Sequence, residues 1–289
     1  KSLFKTYQEF VDMGVKKEDA RFVLPYSFYG NIIMGIDAHV FRNWVIKLTK
    51  GKESKVAELK ELGDKFYEIM EKYVPYLKEN IDNYIISDCD EVEELLNKNI
   101  TDRSYNIIDK VKMLSYTPDA DRVIILSALM RVYGYDYEKA LKIYNSIKDD
   151  KKLQREIMKE SSKTFEKKDL KQVNFGFQFP ISFAVLTHYT RHRTHPILVP
   201  DFVPIKDLTK YKIPPSIEEI AKDKFIDLYN KNIKVYNEFK SYGICDEDLV
   251  YFYLAGNMIN IVTTFDGGTL AHIMRLRICT KAQWETREL

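Results

Sequence analysis

The stretch "QVNFGFQFPISFAVLTHYTRHRTHP", residues 172–196, decides the fold that we expect for this chain. From Val173 to Phe179, apolar and polar side chains alternate, which predicts a half-buried β-strand. Pro180 suits the first turn of a helix, and Pro196 is typical of a helix end. The sequence therefore predicts a strand that leads directly into a helix ending in a cluster of basic residues.

Helical patterns dominate the middle of the chain. An acidic start, an apolar face and a terminal glycine predict a helix over residues 119–134. Segments 136–149 and 150–161 are charged along one face, which predicts two further helices.

The last third of the chain combines helical and strand patterns. Ser216 and Glu219 have the spacing of a capping box, which predicts the start of a long helix, and another helix is expected from residue 246. The β-rich run 259–265 then leads to Asp266, a suitable N-cap. A helix-rich chain with a mixed or antiparallel sheet belongs to the α+β class.

Segments 7–37 and 236–266 resemble each other in one register and without gaps. Identical residues stand at the matched positions Tyr7 and Tyr236, Gly14 and Gly243, Asn31 and Asn260, and Asp37 and Asp266. Chance does not account for so many matches at one offset, so we predict an internal duplication.

The duplication predicts the organisation of the chain. Residues 1–95 are expected to be the C-terminal half of a first, truncated copy, and residues 96–289 a second copy. The acidic stretch 87–102 is the expected boundary region. Because the chain starts without methionine, we expect residue 1 not to be the native start, and we expect the second copy to continue beyond Leu289.

Composition narrows the class of protein. A formal net charge of +2 is nearly balanced and gives no indication of a nucleic-acid partner. Three widely spaced cysteines, Cys89, Cys245 and Cys279, argue against a disulfide framework and for the cytosol. No apolar run approaches the roughly 20 residues of a membrane span, so no membrane association is expected.

The cluster of Arg191, His192 and Arg193 is flanked by His188 and His195. One hypothesis is a zinc site, since HxxxH spacing presents two imidazoles on one helix face, although the arginines would repel a cation. A second is a basic helix C-terminus that complements the helix dipole. A third is a clamp for an anion or cofactor, because guanidinium groups hold phosphate or carbonyl oxygens.

A second polar cluster lies in "AHIMRLRICTKAQWETREL", residues 271–289. Its polar members are His272, Arg275, Arg277, Gln283, Glu285 and Arg287. Taken alone, this pattern is that of an ordinary amphipathic helix with ion pairs at helical spacing.

Together the two clusters resemble the flavin-dependent thymidylate synthases. In that family RHR opens the signature RHRxxSxNxxSxRY, and a later segment close to N-A-R-x-L-x-H-F-x-x-L-R precedes A-Q-x-E-I-R. Residues 111–131 resemble the family's first strand and helix, and residues 162–179 the segment before RHR. "ARFVLP", residues 20–25, resembles its R-x-x-L-P element.

This resemblance implies tandem copies of the family's fold in an FAD-binding enzyme of the cytosol. Such an enzyme methylates deoxyuridine monophosphate (dUMP) with methylenetetrahydrofolate, and NADPH is the reductant. The family is homotetrameric, so two chains with tandem copies are expected to form a pseudo-tetramer.

The resemblance also assigns roles to individual residues. It implies flavin binding by four side chains: Arg191, His192, Arg193 and His272. It implies contact with the pyrimidine, and the catalytic role, for Arg277. It implies substrate binding by Arg21 and by His188, and His188 stands where the family has glutamine. No metal ligand is implied.

The chain departs from the family signature after RHR. Signature serines fall on Pro196 and Asp201, the asparagine on Leu198, and the arginine and tyrosine on Val203 and Pro204. An aspartate repels a substrate phosphate, and loss of the arginine removes a partner for it. These departures leave an alternative: a non-catalytic or repurposed homologue that binds nucleotide or flavin, or a structural partner.

The duplication offers a way to combine the resemblance with the departures. A fused pair of copies is able to divide the roles, with each copy losing elements that the other keeps. Arg21 of the first copy corresponds to Val250 of the second, as this hypothesis requires.

Overall fold

The structure, a computed structural model, describes residues 2–28, 30–84, 91–102, 104–191, 194–200, 207–280 and 282–289. Its contacts divide the chain into two units. Unit 1 comprises Lys1–Tyr26, Asn106–Asn230 and Leu254–Leu289, and unit 2 comprises Ser27–Tyr105 and Lys231–Tyr253. Both units are discontinuous in sequence. The expected boundary between residues 95 and 96 divides the two proposed copies, not these units, and it stays a prediction.

The α-helices of the described residues are, in chain order, α1 (Ser2–Asp12), α2 (Lys17–Ala20), α3 (Ala38–Lys50), α4 (Ala57–Tyr73), α5 (Tyr76–Asp82), α6 (Glu91–Asn99), α7 (Ala120–Tyr133), α8 (Tyr137–Ile147), α9 (Lys151–Lys163), α10 (Phe183–Tyr189), α11 (Pro215–Ile220), α12 (Lys222–Ser241), α13 (Asp246–Leu249), α14 (Gly267–Arg277) and α15 (Trp284–Glu288). Short 3-10 helices lie at Arg21–Val23, Lys52–Lys55, Leu170–Gln172 and Val250–Phe252.

Unit 1 contains a four-stranded antiparallel sheet in the order β1-β2-β4-β3. The strands are β1 (Lys112–Tyr116), β2 (Asn174–Ser182), β3 (Ile197–Leu198) and β4 (Met258–Asp266). β2 and β4 pair along their whole length, from Asn174 opposite Asp266 to Ser182 opposite Met258. The predicted α+β class is confirmed. A mixed or an antiparallel sheet was expected, and the sheet is antiparallel.

Several predicted helix ends are confirmed by their caps. Gly134 ends α7 in the left-handed conformation, with φ of 65°. Asp136 accepts a hydrogen bond from the Lys139 backbone N–H (2.8 Å) at the start of α8. Asp150 does the same for the Leu153 N–H (2.9 Å) at the start of α9.

The prediction that Pro180 opens a helix is wrong. β2 continues through Pro180, which lies opposite Asn260 of β4, and the helix begins only after Ser182. β1 begins at Lys112, opposite Gln178, so Pro180 is paired with β4 alone, and a missing N–H is tolerated on its unpaired side. The Ser182 hydroxyl accepts the Val185 N–H (3.3 Å) and caps α10.

The prediction that Ser216 caps a long helix is also wrong. Pro214 is the N-cap of α11, and the chain breaks at Ala221 before α12 begins. The Ser216 hydroxyl instead donates to the buried Asp19 carboxylate (2.6 Å). A tertiary partner thus replaces the local cap that the sequence pattern indicated.

Aromatic and aliphatic side chains form the main core of unit 1. Phe10, Phe22, Phe225 and Tyr229 are fully buried there. The Tyr229 hydroxyl donates to the Phe22 carbonyl oxygen (2.7 Å), which satisfies a polar group inside this core. Unit 2 has its own smaller core on α3, α4 and α5, made of Val45, Ile46, Met70 and Ile81.

The two segments of the predicted repeat have the same series of local structures. α1 is followed by Gly14 with φ of 91°, and α12 by Gly243 with φ of 80°. Each glycine precedes a one-turn α-helix and a 3-10 helix. Farther along, Asp37 caps α3 through the Val40 N–H, and Asp266 caps α14 through the Thr269 N–H. The duplication itself stays a prediction.

Among the described residues, no helix has both the length and the hydropathy that a bilayer crossing requires. Cys245 and Cys279 are exposed free thiols, and Cys89 lies outside the described residues. α6 occupies most of the expected boundary stretch 87–102, whose residues 87–90 are likewise outside.

Candidate functional site

Arg21 and His188, far apart in sequence, are in direct contact. Arg21 begins the 3-10 helix after α2, and its Nη2 lies 2.9 Å from Nε2 of His188 in the last turn of α10. A guanidinium group only donates hydrogen bonds, so Nε2 is the acceptor. His188 is therefore neutral in this arrangement, with its proton on Nδ1.

Further positive charges act on His188. Burial lowers the pKa of its imidazole most, and the positive charges of Arg21, Arg191 and Arg277 lower it further. Glu18 acts in the opposite direction. The positive charges of three predicted site arginines thus act on one half-buried histidine, and Arg21 is in direct contact with it.

Arg21 also carries a donor with no protein acceptor. Its Nε is buried and has no hydrogen-bond partner among the described residues. Leaving a buried donor unsatisfied costs about 1–3 kcal/mol, so such groups call for a partner. An anionic or carbonyl oxygen of a ligand is the kind of acceptor that suits a guanidinium N–H.

Glu285 fixes the start of the helix that carries His188. Its carboxylate accepts the backbone N–H and the hydroxyl of Ser182, each at 2.7 Å, and only 2% of the residue is exposed. Burial raises the pKa of Glu285, and the hydrogen bonds from Ser182 oppose that shift. Sequence reasoning had placed Glu285 in a surface ion-pair pattern and missed this role; the only signal was its position in the A-Q-x-E element.

α14 carries Arg277 and His272 on different sides. Five positions along an α-helix correspond to a rotation of about 140°. Arg277 is half-buried and its charge lowers the pKa of His188, whereas His272 is exposed. The structure thus does not bring His272 to the cluster, and its implied flavin contact stays a prediction.

Two of the three residues of the RHR motif, His192 and Arg193, lie outside the described residues, as do Asp201, Val203 and Pro204. Arg191, the first of the motif, is exposed in the turn that follows α10. Its flavin contact therefore stays a prediction as well, although its charge contributes to the cluster.

The chain after the motif forms the edge of the sheet. The Pro196 carbonyl oxygen accepts the Thr263 hydroxyl (2.8 Å), and Leu198 pairs with Val262 across β3 and β4. Neither residue offers a side-chain hydrogen-bond donor, and the Leu198 side chain is 61% exposed. The positions of the family's first serine and its asparagine are thus occupied by residues without a side-chain hydrogen-bond donor.

His195 is in an apolar environment. Its ring lies 4.5 Å from the Phe265 ring and 5.8 Å from the Tyr189 ring, measured between centroids. His188, by contrast, contacts Arg21. In the part of the chain that the structure describes, no group of three or more His, Cys, Asp or Glu side chains is arranged to hold a metal ion.

Comparisons with known proteins agree with the sequence resemblance. The chain matches the family described as thymidylate synthase complementing protein over residues 1–76 and 112–289. It is 28% identical over 187 residues to a protein of Sulfurisphaera tokodaii, covering 62% of this chain and 69% of that one. A Clostridium tetani protein is 27% identical over 200 residues, covering 62% of this chain and 78% of that one. Both relatives are named flavin-dependent thymidylate synthase.

Proposed function

The chain belongs to the thymidylate synthase complementing protein family, and on this premise we propose that it is a flavin-dependent thymidylate synthase that methylates dUMP. The proposed one-carbon donor is methylenetetrahydrofolate, the cofactor is FAD and the reductant is NADPH. The proposed location is the cytosol.

The observation that supports this proposal most is the cluster around His188. Arg21 comes from the R-x-x-L-P element, and His188 and Arg191 from the segment that contains RHR. Three guanidinium groups around a neutral histidine attract an anion with two negative charges, such as the phosphate of a nucleotide. With Arg277 from the later H-x-x-x-L-R segment, three elements of the family pattern, distant in sequence, thus contribute to one proposed anion-binding arrangement.

The donor set also fits a flavin nucleotide. Phosphate and ring carbonyl oxygens only accept hydrogen bonds, and the buried Nε of Arg21 is a donor that needs an acceptor. In the proposal, Arg191, His192, Arg193 and His272 hold the flavin, and Arg277 contacts the pyrimidine. Reduced FAD, when bound, supplies the hydride that completes the methyl group.

The protein residues then have binding and electrostatic roles. Arg21 and Arg277 neutralise substrate charge, and His188 holds the Arg21 guanidinium through the 2.9 Å contact. Glu285 holds α10 at Ser182, so that His188 and Arg191 keep their positions at the other end of that helix. None of these steps requires a strong protein nucleophile.

A second candidate function is a homologue that binds nucleotide without turnover. Pro196 and Leu198 favour it, because they remove side-chain donors from the signature and lie on an edge strand of the sheet. In this case the arginine cluster would still bind the nucleotide, whereas the product would not form.

Binding and turnover assays on the purified chain separate the two candidates. Calorimetry measures dUMP affinity in the presence of FAD, and chromatography measures thymidylate after addition of methylenetetrahydrofolate and NADPH. Arg21→Ala should weaken dUMP binding by about 10- to 100-fold, since a hydrogen bond to a charged group contributes about 1.5–3 kcal/mol. Arg122→Ala is the matched control, because Arg122 contacts the Tyr137 hydroxyl and is not among the charges around His188.

The outcomes are distinct. Binding with product formation supports the enzyme, and binding without product supports the second candidate. If the unaltered chain binds neither FAD nor dUMP, both candidates are rejected.

We also propose that the duplication is real and that the site is shared between the copies. Arg21 would come from the first copy, and His188, Arg191 and Arg277 from the second. The proposed assembly is a pair of chains that together form a pseudo-tetramer, which the molar mass in solution would test.

A further inference from the structure

His188 stands where the family has glutamine, and this difference has a chemical consequence. A glutamine oxygen accepts a hydrogen bond from arginine and never takes up a proton near neutral pH. A histidine Nε2 accepts the same hydrogen bond but is also a base. The 2.9 Å contact with Arg21 therefore places a titratable group where the family has a fixed acceptor.

The charges that face His188 come from four different elements. Arg21 lies on the 3-10 helix, Glu18 on α2, Arg191 in the turn after α10 and Arg277 on α14. The effect of each guanidinium group on the pKa of His188 is larger than the opposing effect of the Glu18 carboxylate. Burial and these cations hold the pKa of His188 below its ordinary value, in agreement with the donor and acceptor geometry.

We infer that His188 is a positioning residue coupled to protons: when a dianion such as a phosphate monoester binds to the Arg21 guanidinium, Nε2 of His188 takes up one proton from solvent. The inference rests on the proposed function for the identity of the anion as the phosphate of dUMP. The coupling itself requires only a dianion in the cluster.

The charge balance explains the coupling. Without a ligand, a proton on Nε2 would point at the Arg21 N–H groups and add a fourth positive charge to three guanidinium groups. A dianion supplies two negative charges and new acceptors, which removes both penalties. The Arg21-to-His188 hydrogen bond then breaks, Arg21 donates to the anion, and the new Nε2–H also donates to it.

The coupling makes affinity depend on pH. Because the complex holds one more proton than the free protein, affinity falls as pH rises through the range between the free and bound pKa values of His188. One linked proton corresponds to a change in Kd of up to about tenfold per pH unit in that range. A glutamine at this position would leave affinity independent of this proton.

Proton uptake is measured by titrating the full chain calorimetrically in buffers of different ionisation enthalpy between pH 6 and 8. Sulfate is the first probe, because it stays a dianion over this range and contributes no titration of its own. Deoxyuridine monophosphate is the second probe. The unaltered chain should take up between a half and one proton per anion bound, and its Kd should rise with pH.

Two variants isolate His188. His188→Gln keeps an acceptor for Arg21, so it should bind sulfate without proton uptake and with a Kd that is flat across the pH range. His39→Gln is the matched control, because His39 is exposed on α3 and contacts Asn43; it should behave as the unaltered chain does.

The results also separate this inference from the proposed function. Anion binding by the unaltered chain without proton uptake, or unchanged uptake in His188→Gln, overturns the inference and leaves the proposed function standing. Sulfate binding with proton uptake, but no affinity for deoxyuridine monophosphate, rejects the proposed function and keeps the coupling. Absence of binding to both anions rejects the two together.

Discussion

Pro25 and Leu254 form an antiparallel β-bridge. The two residues are also matched with each other when segment 7–37 is aligned with segment 236–266. Beside the bridge, Ala255 donates its N–H to Leu24 (2.8 Å). Antiparallel contact between matched residues is the arrangement that two copies of one segment adopt about a local twofold axis. The contact is consistent with the proposed duplication, and it lies four residues from Arg21, which is matched by Val250 in the other segment.

Gly256 lies beside this bridge, where its backbone packs closely against Phe22 and Tyr229. Its N–H donates to the Phe22 carbonyl (3.0 Å), and a Cβ at this position would overlap the Tyr229 hydroxyl. Gly256→Ala should therefore destabilise the protein by about 1–3 kcal/mol, the usual cost of overpacking a core. Urea denaturation followed by circular dichroism measures the change.

A double mutant tests the cause. Tyr229→Phe removes the overlapping oxygen together with its hydrogen bond to Phe22, so Gly256→Ala should cost clearly less in that background. Gly30→Ala is a control, because a Cβ there meets no atom within 4 Å. Equal costs in both backgrounds would contradict the proposed overlap.

Glu285 should contribute to stability through Ser182. Glu285→Ala leaves the buried Ser182 N–H without its acceptor and should lower the free energy of unfolding by about 1–3 kcal/mol. Glu285→Gln keeps an amide oxygen that accepts the Ser182 N–H and an amide N–H that donates to the Ser182 hydroxyl. The free energy of unfolding should therefore fall much less in this variant. Similar losses in the two variants would show that packing, and not the hydrogen bonds, dominates at this site.

The buried carboxyl of Glu285 also predicts a pH dependence. Its pKa is raised by burial, so the folded state binds this proton more tightly than the unfolded state does. Glu285 stabilises the folded state fully at pH values below its pKa in the unfolded chain, about 4.5. This contribution is lost as pH rises through its higher pKa in the folded state. Glu285→Gln should therefore gain stability relative to the unaltered chain as pH rises through that window, measured by chemical denaturation at a series of pH values.

How much the sequence alone predicts depends on whether the decisive contact is local. The cap at Asp266 was predicted correctly, and the helices that Asp136 and Asp150 begin lie where they were expected, because such a cap is made within three residues. Pro180 and Ser216 were misassigned, because a paired strand and a buried carboxylate override their local preferences.

The candidate site follows the same rule. Sequence similarity pointed to Arg21 and His188 separately, and no local pattern gave the 2.9 Å contact between them. The hydrogen bonds from Ser182 to Glu285 join residues more than a hundred positions apart, and no periodicity in the sequence reports such a pair. Family resemblance compensates for this only where the motif residues are kept.

The matched caps of the repeat allow a paired comparison. Asp37→Ala and Asp266→Ala should each cost about 0.5–2 kcal/mol, because each removes the acceptor for an N–H at the start of a helix. The loss should be larger at Asp266, whose second oxygen also accepts the Thr269 hydroxyl (2.7 Å). Asparagine keeps one acceptor at either position and serves as the control; thermal unfolding of the four variants measures the differences. A cost at neither position would show that these helix starts do not depend on their caps.

His188 should make the fold sensitive to acid. Its pKa is lowered in the folded state, so the neutral form that accepts from Arg21 stabilises the protein above about pH 6.5, and this contribution is lost as pH falls through the folded pKa. The free energy of unfolding should therefore fall between pH 7 and 5 in the unaltered chain. His188→Gln accepts from Arg21 without titrating, so subtracting its stability curve isolates this one group from the carboxylates that also titrate. A difference curve that is flat over this range would show that His188 has the same pKa in the folded and unfolded states.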